Sequence, residues 1–123
     1  MGIVESLYNL AESNQNILYH ATFGCYIEQI QEEGLIPGKN KNWSDSSNKV
    51  VDLADDKEYA ASFCEVAEVS DEVYDSGIYV VGIDASKLDM SKMSIDKNNL
   101  AEDTYEYEGT IPTYAFVSIE EFD

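Results

Sequence analysis

A single histidine, His20, stands in the apolar run NILYHATF at residues 16–23. Imidazole titrates near neutrality, so such a group can hold a ligand hydroxyl or move a proton. It can equally be a strand residue whose ring nitrogens are satisfied by backbone groups. Three other places carry groups of the same kind. Glu106 and Glu108 alternate with Tyr105 and Tyr107 in YEYE, and carboxylates so placed either face water or stabilise a developing positive charge. Asp52 interrupts the apolar strand VVDLA, where it caps a turn, pairs with a lysine or meets a ligand. Trp43, the lone large apolar residue of the polar run GKNKNWSDSSN, covers a core edge or lines a cleft.

The composition limits what these groups can act upon. The chain has 123 residues, 25 acidic against seven basic, for a formal charge of −18, and all seven basic residues are lysines. Without arginine there is no planar fork for phosphates, and the net field repels nucleic acid and anionic lipid. A basic protein partner suits this charge, and direct nucleic-acid or membrane binding does not. Residues 1–15 carry two glutamates and no cationic or long apolar run, so neither a signal peptide nor a membrane span is expected, and a cytoplasmic location is. In that setting Cys25 and Cys64 are expected as buried thiols and the sequon at Asn42 as silent. With one histidine a zinc site is disfavoured, and DLADDKE lacks the glycine of a calcium loop, so no metal is expected.

The elements that must position these groups follow from periodicity. Ile3, Leu7, Leu10 and Ala11 share a helical face ahead of the strand that holds His20. A second helix begins near Cys25, carries Tyr26, Ile27 and Ile30 on one face, and closes at Gly34 before Leu35, Ile36 and Pro37. Residues 38–48 read as a loop and 49–54 as a strand. Asp55 and Asp56 then stand where they cap a helix containing Tyr59, Ala60, Phe63, Val66 and Ala67. The acids from Glu65 to Asp75 read as its solvated side and what lies beyond. GIYVVGID, residues 77–84, is apolar on both faces and is expected at the centre of a sheet. SKLDMSKMSIDKNNLAED reads as an irregular connection. TYEYE, with its tyrosines to one face and glutamates to the other, and AFVSI complete the strands. The whole chain, 1–123, is expected to be one small α+β domain, a mixed or antiparallel sheet flanked by short helices.

The order of NILYHATF, EEGLIPG, KVVDLADDKEYAASF and YEYEGTIP resembles that of the ADP-ribosyltransferase superfamily, which includes the RNA 2'-phosphotransferases. The resemblance covers about 100 residues from the first strand onward. It implies an ADP-ribosyltransferase-like fold, NAD as substrate and transfer of ADP-ribose to a macromolecular target. His20, Ala21 and Thr22 match the superfamily's first-strand motif, in which the imidazole holds the ribose and backbone groups hold the nicotinamide amide. A glutamate on a later strand carries the catalytic role, and Glu106 and Glu108 are both candidates, with Glu106 preferred. The tyrosine that stacks on nicotinamide in the second motif is replaced by Asp52, which leaves a ring to come from Tyr59 or Trp43. Asp52 itself suits a ribose hydroxyl or an amine. The phosphotransferase branch is disfavoured, because its pattern uses arginines on the RNA phosphate.

Size and charge support a second reading from another class. Small acidic proteins of phage or mobile elements act as inhibitors by presenting carboxylates to the basic groove of a partner. Such a protein needs no catalytic group at His20.

Overall fold

The computed structural model describes residues 17–37, 50–95 and 104–122. The helix expected at 3–11, the loop at 38–48 and Trp43 within it lie outside the described residues. Alternating and fully apolar runs become six strands among the described residues: β1 (Ile17–Phe23), β2 (Val50–Ala54), β3 (Ile78–Asp84), β4 (Met93–Ile95), β5 (Thr104–Glu108) and β6 (Phe116–Phe122). They form one sheet in the order β4-β5-β2-β1-β3-β6, and every pairing is antiparallel. Helices α1 (Ile27–Glu33), α2 (Lys57–Glu65) and α3 (Asp71–Asp75) accompany it. A small α+β domain with an antiparallel sheet is thus what the patterning specifies.

The period of two divides the sheet into two buried sides. Leu18 of β1, Val51 and Leu53 of β2, Val81 and Ile83 of β3, and Tyr105 and Tyr107 of β5 meet Ile30 of α1 in one apolar cluster. On the opposite side α2 lies over β1 and β3, and Ala60, Ala61 and Cys64 are buried there. β3, interior to the sheet, is buried without a break from Val80 to Ile83, as a strand covered on both faces must be. Burial pushes the Cys64 thiol up to about 12, an inert position. Cys25, expected to be buried, is exposed within the short 3-10 turn Gly24–Tyr26.

Two of the punctuation marks act as their chemistry requires. Gly34 ends α1 with φ 84°, and its N–H bonds the Ile30 carbonyl at 2.8 Å. Leu35 then exchanges two backbone hydrogen bonds of 2.9 Å with Ile111, which ties EGLIP to EGTIP. Asp56 caps α2 by accepting from the Tyr59 N–H at 3.2 Å, with Asp55 exposed beside it.

Other boundaries differ from the pattern. α2 stops at Glu65, so Val66 and Ala67 are not part of it, and Val66 is 78% exposed. Its backbone leaves the helix at Val66, whose φ of −106° and ψ of 3° are no longer helical. The acids 71–75 form their own helix, capped by Ser70 accepting from the Val73 N–H at 3.3 Å. The connection after β3 is partly regular: Asp84 and Asp89 each accept from the N–H two residues on, at 3.0 Å, and β4 follows, pairing with β5. These Asx contacts mark 3-10 turns, which hydropathy does not register.

Candidate functional site

The ladders on either side of β1 are unequal. β1 and β3 are in register over seven consecutive pairs, from Ile17↔Asp84 to Phe23↔Ile78. β2 and β5 are in register over five, from Val50↔Glu108 to Ala54↔Thr104. Between β1 and β2 there is one register pair among the described residues, Tyr19↔Ala54. The sheet is therefore two three-stranded halves, β4-β5-β2 and β1-β3-β6, joined at a seam with little backbone pairing.

His20 sits on that seam. Alternation places it with Leu18 and Thr22, opposite Val81, and its Nδ1 lies 2.8 Å from the Asp52 carbonyl oxygen. A carbonyl can only accept, so Nδ1 carries the proton and donates it. Desolvation of the part-buried ring pushes its pKa below the ordinary value of 6.5, and the bond to Asp52 offsets part of this. The imidazole is neutral at physiological pH, and Nε2 bears the lone pair. In effect a side chain supplies, at the seam, the donor that a backbone ladder would supply elsewhere. This agrees with the view of His20 as a strand imidazole satisfied by backbone, yet it leaves one nitrogen with acceptor capacity.

The carboxylates are arranged by the β2–β5 ladder. Asp52 and Glu106 are directly opposed across it. Such neighbours have Cβ atoms about 4.5–5.5 Å apart on one side of a sheet. That side is the reverse of the one holding Val51, Leu53, Tyr105 and Tyr107, whose side chains are buried in the cluster beneath α1. Glu106 is part-buried and Glu108 is exposed, opposite Val50. Two positions from Glu106, Thr104 is buried on the same side with its Oγ1 unpartnered.

The expected residues thus fall into two groups. His20 meets Asp52 through the Asp52 backbone carbonyl, while the Asp52 side chain accompanies Glu106 and Glu108 on the other side of the sheet. Ala21 shares that second side, opposite Val80, and Thr22 is buried on the first, opposite Tyr79. Tyr59 lies in the first turn of α2, its ring edge-on to Phe63 at 5.2 Å. At the joined end of the seam, Lys57 Nζ stands 5.6 Å from the centroid of the Tyr19 ring and bonds Glu120 at 3.0 Å. Sequence reasoning passed over Tyr19 and Lys57. Adjacency of Tyr19 to His20 was the available signal, but no periodicity brings Lys57 to it.

No family model matches the chain, and no curated protein matches it.

Proposed function

We propose that the protein is an ADP-ribosyltransferase-like protein that binds NAD along the β1–β2 seam, with transfer of ADP-ribose to a macromolecule as its chemistry. The observation that carries the reading is the state of His20: neutral, fixed through Nδ1 and left with Nε2 as an acceptor for a ribose hydroxyl. Further support comes from the sheet order, in which the strands bearing HAT, VDL and YEYE, namely β1, β2 and β5, are consecutive neighbours. The hydrogen-bonded contact between EGLIP and EGTIP adds to it, since both segments belong to the resemblance.

Cleavage of the bond between nicotinamide and ribose develops positive charge on the sugar carbon. Glu106, part-buried beside Asp52, is the carboxylate assigned to stabilise it, ahead of the exposed Glu108. His20 and the Asp52–Glu106 pair lie on opposite sides of the sheet, so this reading requires β1 and β2 to part at the seam for one ligand to meet both. With Asp52 in place of the stacking tyrosine, hydrogen bonding takes over from ring contact in holding the substrate.

Calorimetric titration with NAD tests the reading, using the wild type and His20→Asn. The asparagine amide can still donate to the Asp52 carbonyl but lacks the second ring nitrogen. Saturable binding in the wild type, weakened about tenfold in the variant at equal melting temperature, is expected for one lost hydrogen bond to a buried site. No binding at millimolar NAD, or equal affinity in both proteins, contradicts it.

A further inference from the structure

We propose that the outer edge of β6 is a docking site for an extended, cationic segment of a partner protein, which adds to the sheet as a further strand. β6 ends the strand order, and among the described residues no strand pairs with its outer side. From Ser118 to Phe122 its pairing with β3 is unshifted, which leaves a regular edge long enough for strand addition. The register shifts between Gly82 and Ile83, where Ser118 pairs with Gly82 and Phe116 with Ile83. Val117 is the residue left over, and it is 51% exposed. Tyr114, just before the strand, is 68% exposed. An unpaired ladder with two apolar anchors at its entrance has the components of a peptide-binding edge.

Charge selects the occupant. Glu120 and Glu121 are both exposed on the regular part of the edge, and the chain as a whole carries −18. A second copy would bring the same charge and the same glutamates, and like charges across a strand pair oppose it. Glu120 and Glu121 face opposite sides of the sheet, and Glu120 is paired with Lys57. A strand bearing lysine or arginine at alternate positions on the Glu121 side thus has its charge drawn to Glu121 while its backbone completes the ladder. Among the described residues the opposite edge, β4, is three residues long and offers less backbone to pair. This surface stands apart from His20 and does not depend on NAD.

The probe is a blocked peptide of alternating lysine and valine, about nine residues long, titrated into the full chain labelled with 15N. The same peptide methylated on alternate backbone nitrogens keeps its charge but cannot complete a ladder. Saturable binding is expected to slow amide exchange in β6 at least about tenfold. The methylated peptide is expected to bind about tenfold more weakly. Glu121→Lys should weaken the unmodified peptide several-fold with an unchanged melting temperature. Equal binding of the two peptides overturns the proposal, as does protection centred on the acidic helices α2 and α3. Sedimentation showing a dimer whose β6 amides are already protected overturns it as well, assigning the edge to a second copy.

Discussion

A histidine whose Nδ1 is committed to a carbonyl has one nitrogen left to offer, and at His20 that commitment also sets a pH dependence. Burial lowers the ring's pKa in the folded chain, so below pH 6.5 the unfolded chain takes up a proton that the folded chain refuses. The folded state loses stability as pH falls through 6.5, and the loss continues until the part-buried ring of the folded chain itself titrates. Chemical denaturation of wild type and His20→Asn between pH 7.5 and 5.5 isolates this contribution from the carboxylates common to both. The stability difference should move against the wild type on acidification. Parallel curves would mean that the ring is solvated in the folded chain. The type and strand of His20 were legible in NILYHATF, but its partner was not. The acceptor is the backbone of a residue 32 positions away, and backbone atoms carry no sequence label.

At the scale of elements, local signals told more than long-range ones. The alternation in TYEYE sends the tyrosines to one side and the glutamates to the other, as the ladder does, because one side of β5 packs against the apolar cluster. Glycine signalled the end of α1 because a left-handed residue is needed there. What periodicity could not convey was pairing: that His20 and the side chains of Asp52 and Glu106 lie on different sides follows from register across β1, β2 and β5. β4 was missed because a three-residue strand is too short to show alternation. The Leu35–Ile111 bridge makes the α1 exit a sensitive point. A methyl group on Gly34 would press on the Ile111 carbonyl and occupy φ 84°. Gly34→Ala should therefore cost at least about 1–2 kcal/mol, read as a lower denaturation midpoint with an unchanged slope. A neutral outcome would mean that the turn relaxes and the bridge is dispensable.

Across the whole molecule, charge is the dominant feature. With −18 spread over 123 residues and seven lysines to offset it, self-repulsion opposes the compact state. The one ion pair described between α2 and β6, Lys57 with Glu120, is solvent-exposed and offsets little of this repulsion. Raising sodium chloride from about 10 mM to about 150 mM shortens the screening length from about 30 Å to about 8 Å. The melting temperature should rise by several degrees over that interval. A fall would mean that specific ion pairs outweigh the net repulsion. None of the described helices is long and apolar enough to cross a membrane.

With one histidine in the chain, ring-nitrogen NMR of the 15N-labelled protein observes His20 without ambiguity. In the free protein it should report a neutral ring protonated at Nδ1. Titration with NAD should shift Nε2 saturably in the direction of hydrogen-bond acceptance while Nδ1 stays protonated. An Nε2 resonance that stays fixed up to millimolar NAD, or a ring protonated at Nε2 alone, would contradict the account.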